Sequence, residues 1–482
     1  MGEEHKVYQE PLVGRYTDKE MQYIFSDDFK FKTWRRCWLA LAETQMELGL
    51  KQINQEMIDE LRKALDEEID YSVVKEKEKA TRHDVMSHVY EYGLHCPNAK
   101  AIIHLGATSQ FVCCNTDLIQ IKQALKLVKI GIINTINNLY KFADENKALV
   151  TIGYTHYQSA QPTTIGKRAT LYIQDLMFDL EQIEKFEEMI KARGVKGTTG
   201  TQASYMELFD NDYEKVKKLD KLVSQKLGFE DSFPVTGQTY TRKFDSILSK
   251  ILSGIAESAH KFANDMRLMS NLKIMEEPFE KNQTGSSAMA YKRNPMRSER
   301  MTALSRKLMN LQIDFSHIYA NQWFERTLDD SAIRRIDIPQ MFLLSNAILK
   351  LYNNITNGIV VYPAQTRKYL YEELPFMATE AILMDLCKQG CDRQEMHEII
   401  KKHSVEAGKA VKINGVRNDL FERLANDDSI PVTLGYLNNL IENPERFAGA
   451  AIIQTEEFLK KVKLLLERYS DLIGKSDSTI NV

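Results

Sequence analysis

The chain has 482 residues, 43% of them hydrophobic, with 64 lysines and arginines against 67 aspartates and glutamates. This length and apolar content can bury a large core and predict a soluble globular protein of about two to four domains. The net charge of −3 gives no overall attraction to nucleic acid or an anionic membrane, so we expect neither as a partner, and any phosphate binding must be local.

The N-terminus lacks the apolar run of a signal peptide, and the sequence has no stretch of about eighteen apolar residues that could span a bilayer. Its cysteines are scattered without a metal-ligand spacing and are predicted to be reduced: Cys37, Cys96, Cys113, Cys114, Cys387 and Cys391. We therefore expect a cytoplasmic protein.

Helices are predicted along most of the chain. Residues 18–65 carry an apolar helical face that includes Trp34 and Trp38. Three stripes of apolar residues then recur at steps of three and four positions, at 118–139, 169–190 and 244–269, in intervals free of proline. Such stripes predict long helices packed side by side in a bundle. We expect Asn115 and Thr116 to cap the first of these helices.

After the bundle, residues 377–482 carry shorter helical patterns interrupted by glycines and a proline. This change in composition near Pro363 suggests a domain boundary. The sequence shows no internal repeat and no clear strand-rich region.

One stretch is unusually dense in polar groups. Gly285 provides a flexible backbone, Ser286 and Ser287 provide hydroxyls, and Lys292 and Asn294 are hydrogen-bond donors. The stretch runs towards a predicted helix start at Pro295, where anions are favoured. These residues alone fit an ordinary serine- and glycine-containing surface loop equally well.

The stretch from Gly285 to Asn294 resembles the signature loop of the fumarase/aspartase superfamily. Further segments resemble the same superfamily, and together they cover nearly the whole chain: 82–86, 104–109, 196–204 and 323–331. The continuation through Arg300 is similar to the branch that acts on succinylated purine nucleotides. Ala290 stands where the family usually has proline, which predicts a less rigid loop.

The resemblance implies an all-α fold of three mostly helical domains around a long central helix bundle that oligomerises. The corresponding divisions are 1–108, 109–361 and 362–482, with the signature loop in the second. It also implies a homotetramer in which each active site is built from three subunits.

The implied reaction removes fumarate from a succinyl group attached to a nitrogen of a small-molecule purine nucleotide or its ribotide precursor. By resemblance, Ser286 is the base that takes the carbon-bound proton, and Lys292 helps to stabilise its alkoxide. His156 is the acid that protonates the leaving nitrogen, Glu299 orients His156, and His83 supports the acid.

The resemblance also implies a set of residues that bind the nucleotide and the succinyl carboxylates, of which His83 has a catalytic role as well. They are Arg15, Tyr16, Arg82, His83, Asp84, Thr108, Ser109, Gln238, Asn294, Arg300, Arg326, Ser331 and Arg335. His83 and His88 are not at the four-residue spacing of a helical metal pair, and no acidic cluster accompanies them. We expect no metal and no cofactor.

Two alternatives remain open at this stage. The chain could be another lyase of the superfamily, acting on argininosuccinate, aspartate or malate. It could instead be a non-catalytic structural protein, since the superfamily includes lens crystallins.

Overall fold

The computed structural model describes residues 7–280, 283, 288–476 and 479–480. Over these residues the chain is mostly helical, which confirms the predicted all-α class. No helix in the described part of the chain combines the length and the apolar composition that a bilayer span requires.

The N-terminal region has a helical turn at Leu12–Tyr16, followed by α1 (Lys19–Ile24), α2 (Asp27–Glu47), α3 (Gln55–Lys63), α4 (Tyr71–Thr81) and α5 (Asp84–His95). The central region contains α6 (Ser109–Glu145), α7 (Ile165–Met189), α8 (Ala203–Leu208), α9 (Tyr213–Lys226), α10 (Lys243–Asn271), α11 (Met296–Ala320) and α12 (Asp330–Thr356). The C-terminal region contains α13 (Pro363–Met377), α14 (Thr379–Lys388), α15 (Arg393–Asn414), α16 (Leu420–Ala425), α17 (Leu434–Glu442) and α18 (Ala451–Arg468), with 3₁₀ turns at Pro444–Ala448 and Ser470–Leu472.

Helices α6, α7, α10, α11 and α12 form the predicted bundle around one large apolar core. Helices α6 and α12 run in the same direction, because Asp117 contacts Arg334 near their first residues and Asn138 contacts Asn353 near their last. Gly131 of α6 lets the two helices approach closely, since a Cβ there would lie 3.0 Å from the Leu349 side chain.

Helix α10 shares the direction of α6 and α12, whereas α7 and α11 run the opposite way. Phe262 stacks on Tyr352, while Asp245 pairs with Arg334 near the other end of the same two helices. We call the end where α6, α10 and α12 begin the start end, and the end where they finish the far end. The described site residues can be placed relative to these two ends.

The start of α6 differs from the prediction. The helix begins at Ser109, with Thr108 as its N-cap residue, so Asn115 and Thr116 are buried inside it. Asn115 instead accepts a hydrogen bond from the Gly194 amide at 3.1 Å. The prediction of a cap failed because Asn and Thr are also used inside a helix when a buried loop needs a partner.

Two small antiparallel two-stranded sheets lie at the far end, and the sequence did not suggest them. Strand β1 (Val150–Thr155) pairs with β2 (Gln158–Thr164), and β3 (Met275–Glu276) pairs with β4 (Val360–Val361). The β1–β2 hairpin packs on α13. It connects the end of α6 to the beginning of α7.

Two further apolar cores flank the bundle. The N-terminal core combines α2, α3 and α5 with the first residues of α6 and with α9. The C-terminal core is formed by α14 to α17, whereas α18 returns to pack on the bundle. The divisions at 108 and 361 stay predictions.

Candidate active site

The start end brings together two helix N-termini and several of the predicted binding residues. Ser109 is the first residue of α6, and its hydroxyl lies 3.4 Å from Nε2 of His83, the N-cap residue of α5. Gln238 donates from Nε2 to the Thr108 hydroxyl at 3.3 Å. Because helix N-termini carry partial positive charge and free N–H groups, this arrangement favours a bound anion.

Arginines add to the positive charge at this end. Arg335 forms a 2.9 Å ion pair with Asp84. Burial acts to raise the pKa of Asp84, but hydrogen bonds from the Val85 amide and the Arg335 guanidinium together hold it below its ordinary value. Asp84 is therefore a charged, fixed partner that orients Arg335 beside His83.

A cavity of about 340 Å³ lies between α2, α6 and α12 at the start end. Arg326, Ser331 and Arg335, for which a binding role was predicted, all line it. Lys30 and Arg334 also line it and were not identified from the sequence. Cations therefore outnumber the two carboxylates of its wall, Asp27 and Asp117, which suits an anionic ligand.

A buried network of ion pairs supports this cavity. Asp330 accepts hydrogen bonds from Arg242 at 2.7 Å and from Arg326 at 3.0 Å, and the Asp330 side chain is fully buried. Arg334 bonds to Asp245 and to the hydroxyl of Tyr240. Only the local doublets Asp329-Asp330 and Arg334-Arg335 could have drawn attention to this network.

Gln238 is held by a residue that sequence reasoning missed. Arg193 is fully buried and donates to the Gln238 carbonyl at 2.8 Å and to the Gly197 carbonyl at 2.6 Å. The guanidinium thereby ties the glycine-rich segment at 196–204 to the loop that carries Gln238. Arg82 is exposed and ends α4 in a left-handed conformation, immediately before His83.

A second group of predicted residues lies partway along the bundle. The Arg300 guanidinium of α11 stacks over the Tyr16 ring at 5.3 Å, and its buried Nη1 has no hydrogen-bond partner among the described residues. Arg15 and Tyr16 line a cavity of about 490 Å³ beside α12. The segment is fixed because the Asp18 amide donates to Asn346 at 2.9 Å.

The described part of the signature loop, residues 288–294, lies near the far end, just before α11. Ser286 lies outside the described residues, as do Gly285 and Ser287. Lys292 is exposed, Asn294 is half-buried, and Glu299 lies 3.9 Å from Arg267.

The anion at the start of α11 is the chain's own Glu277. Its carboxylate accepts hydrogen bonds from the Arg297 amide at 2.9 Å and from the Ser298 amide at 3.0 Å. The sequence predicts that anions are favoured at this helix start, and here a side chain of the chain itself satisfies those donors. Nothing in the sequence near Pro295 indicated this partner, which lies 20 positions before Arg297.

His156 lies at the tip of the β1–β2 hairpin, exposed at the far end. Its backbone and that of Tyr157 are both left-handed, with φ of 51° and 56°. Non-glycine residues pay a conformational cost in this region, and they occur there mainly at functional positions. His156 makes no hydrogen bond or ion pair to a described side chain, so Glu299 does not orient it within this chain.

The residues of the start end are too far from the other two groups to form one site with them within a single chain. Helix α6 has 37 residues between Ser109 and the strand that leads to His156. At a rise of about 1.5 Å per residue this places Ser109 about 54 Å along the bundle from the end of α6, after which the hairpin begins. Arg335 and Lys350, which is level with Tyr16, are about 22 Å apart on α12 by the same measure.

The described residues contain no group of three or more histidine, cysteine, aspartate or glutamate side chains placed to hold a metal ion. His83 bonds to Ser109 and to the Met86 amide, and His88 stacks on Phe31. Both histidines thus have partners of other kinds.

Comparisons with known proteins find similarity along nearly the whole chain. Residues 4–310 match a family model described as "Lyase", and residues 375–458 match one described as "Adenylosuccinate lyase C-terminus". The adenylosuccinate lyase of Saccharomyces cerevisiae is 48% identical over 479 residues, which cover 98% of this chain and 99% of that protein. The adenylosuccinate lyase of Schistosoma mansoni is 44% identical, with 98% of each chain covered.

A solved structure has the same fold. The 3-carboxy-cis,cis-muconate lactonizing enzyme from Pseudomonas putida superposes with a TM-score of 0.81 at 20% identity, covering 95% of this chain and 99% of that one. At this identity the likeness concerns the fold alone. It agrees with the helical-bundle architecture described above.

Proposed function

The chain belongs to the adenylosuccinate lyase family, and we propose that it eliminates fumarate from two substrates. One is adenylosuccinate, which gives AMP, and the other is the succinyl-aminoimidazole-carboxamide ribotide, which gives the carboxamide ribotide. The match to curated adenylosuccinate lyases over 98% of the chain carries this proposal. It disfavours a lyase for argininosuccinate, aspartate or malate.

The reaction must remove a weakly acidic proton next to a carboxylate and expel an amine. In our proposal Ser286 takes the proton, Lys292 and Asn294 stabilise the negative charge around the loop, and His156 protonates the leaving nitrogen. Glu299 and His83 orient and support the acid once the copies are assembled. The left-handed backbone of His156 supports its assignment, because the fold accepts strain to present this side chain.

The start end is proposed to bind the succinyl carboxylates. Thr108, Ser109 and Gln238 offer hydroxyl and amide donors where α6 begins. His83 and Arg82 lie beside them at the start of α5. Positioned donors of this kind can hold the doubly charged carboxylate that forms as the carbon loses its proton.

We propose that arginines bind the nucleotide phosphate. Arg300 has a buried nitrogen with no hydrogen-bond partner among the described residues, and an unpaired donor of a charged group is costly unless a ligand satisfies it. Arg15 and Tyr16 lie beside it, and we propose that Arg326, Ser331 and Arg335 come from another copy. Arginine suits this task because its guanidinium binds phosphate oxygens in a forked geometry.

We propose that the chain works as a homotetramer in which several copies contribute to each site. The separation of about 54 Å between Ser109 and the hairpin that bears His156 supports this proposal, because no single copy can bring them together. We propose a cytoplasmic location, which agrees with six cysteines that are all unpaired. The nucleotide is a small-molecule partner, and no nucleic acid or membrane is required.

An assay of fumarate release from adenylosuccinate by the purified protein tests the function. We expect turnover by the parent and none by Ser286→Ala, with nucleotide binding retained. A correctly assembled parent that released no fumarate would contradict the proposal and favour a structural role.

The same assay tests the phosphate assignment. Arg300→Ala should raise KM by about tenfold to a hundredfold, the effect of losing a charge-assisted hydrogen bond, with a smaller change in kcat. Arg306→Ala, an exposed arginine on the same helix, is the matched control and should leave KM unchanged. Equal KM values for Arg300→Ala and the parent would exclude this role.

A further inference from the structure

Tyr157 has a backbone conformation that is unfavourable for a tyrosine. Thr155 pairs with Gln158, so His156 and Tyr157 are the two central residues of the tight turn that joins β1 and β2. Both have positive φ, as a type I′ turn requires. Asn-Gly is the pair that such turns favour, because a glycine adopts this conformation without a steric cost.

Local packing does not explain the tyrosine either. The Tyr157 side chain is 56% exposed, and its described ring contact is with Tyr154, at 5.9 Å between centroids. The chain also contains a surface turn of the same left-handed kind at Asp210 and Asn211, where small polar residues are used. The Tyr157 ring therefore has little packing within its own copy, and most of it is available for a contact outside that copy.

The hairpin is built to hold its tip in place. The strand pairing shifts between Ile152 and Tyr154, at Gly153, where a Cβ would lie 2.4 Å from the Gln161 carbonyl oxygen. Irregularities of this kind bend a strand and re-aim its end, and they are common next to active sites. Gln161 also donates to Glu380 of α14 at 3.0 Å, which fixes the hairpin to the C-terminal region.

We propose that Tyr157 is a second residue that the hairpin tip delivers, together with His156, to the site completed by another copy. Its ring lies against the leaving group of the substrate and keeps water away from the proton that His156 donates. Exclusion of water strengthens the electrostatic interactions on which the elimination depends. This inference rests on the proposed function, because it takes His156 as the acid.

The test compares Tyr157→Gly with the parent in turnover of adenylosuccinate and in thermal unfolding. Glycine suits the left-handed backbone, so the variant should melt at a temperature no lower than the parent. Its kcat should nevertheless fall about tenfold, the effect of about 1.4 kcal/mol of lost transition-state stabilisation. Asp210→Gly makes the same backbone change on a surface turn and should leave kcat unchanged.

Tyr157→Phe retains the ring and should keep a kcat close to that of the parent. Parental kcat in Tyr157→Gly would overturn the inference, and a kcat as low in Tyr157→Phe as in Tyr157→Gly would overturn the role of the ring as a cover. His156→Ala distinguishes a failure of the proposed function of the hairpin from a failure of the inference about Tyr157. If His156→Ala turns over normally, the proposed function of the hairpin fails; if it is inactive while Tyr157→Gly is unimpaired, only this inference fails.

Discussion

His104 is a mostly buried histidine whose ring must remain neutral. Trp38 donates from Nε1 to Nδ1 of His104 at 2.9 Å, so this nitrogen is an acceptor and carries no proton. Burial, together with the nearby His83, lowers the pKa of His104 to about 4. Its backbone is also left-handed, with φ of 70°.

The sign of the resulting pH dependence follows from the two pKa values. The unfolded chain takes up a proton near pH 6.5 and the folded chain only near pH 4, so the stability that His104 contributes is complete above about 6.5. It is lost as the pH falls from there towards 4. His104→Asn tolerates the left-handed backbone and should reduce the loss of unfolding free energy over this range by about 1–2 kcal/mol.

Denaturant unfolding at a series of pH values measures this difference. His397→Asn, a substitution of an exposed histidine on α15, is the matched control and should leave the pH slope unchanged. Identical slopes for the parent and His104→Asn would show that His104 does not couple protonation to folding.

Most of the residues that contact the substrate in our proposal could be named from the sequence, because each lies within a short recognisable segment. The residues that hold these substrate-contacting residues in place could not be named from the sequence. Arg193, Glu277 and Arg334 each form a hydrogen bond to a partner at least 20 positions away. Such partnerships depend on the packed fold and leave no local pattern.

At the scale of the elements, the packing of helix α11 against helix α12 brings two carboxyl groups close to each other. Asp337 of α12 is buried, and its Oδ2 has no hydrogen-bond partner among the described residues. Burial, and then the charge of Asp314 on α11, raise the pKa of Asp337 to about 6. The carboxyl group favours the folded state when protonated, so this stability is present below about pH 3.8 and is lost as the pH rises through 6.

Asp337→Asn should therefore stabilise the protein at pH 7.5, by about 2 kcal/mol, because it removes a buried charge that faces another carboxylate. The gain should shrink at pH 5, where the parent carboxyl is largely protonated. Thermal unfolding at both pH values measures it, with Asp428→Asn, an exposed aspartate, as the control. A variant no more stable than the parent at pH 7.5 would contradict this account.

The elements themselves were predictable to different degrees. Apolar residues at steps of three and four positions identified α6, α7 and α10, since their buried faces are long and regular. The β1–β2 hairpin escaped notice because His156 and Tyr157 replace the Asn-Gly type of pair that signals a tight turn. The two turn residues that make the hairpin hard to predict from the sequence are also the residues to which we assign a function.

On the scale of the whole molecule, the site residues lie in three places along a bundle tens of ångströms long. The start end holds the residues that we propose to bind anions, Arg15, Tyr16 and Arg300 lie partway along, and His156 lies at the far end. A bundle that packs against copies of itself can bring these places together, because antiparallel copies set a start end beside a far end. In our proposal, the length of the bundle allows one active site to be built from residues of several copies.

Recovery of activity in mixed assemblies tests this composite site most directly. His156→Ala and His83→Asn are each expected to be inactive, and asparagine at 83 can still cap α5. Co-expressed with different tags and purified as mixed assemblies, they should regain fumarate release at about one quarter of the sites, those where both parental residues meet. Mixed assemblies as inactive as the two variants alone would show that His156 and His83 do not come from different copies, and would contradict the account.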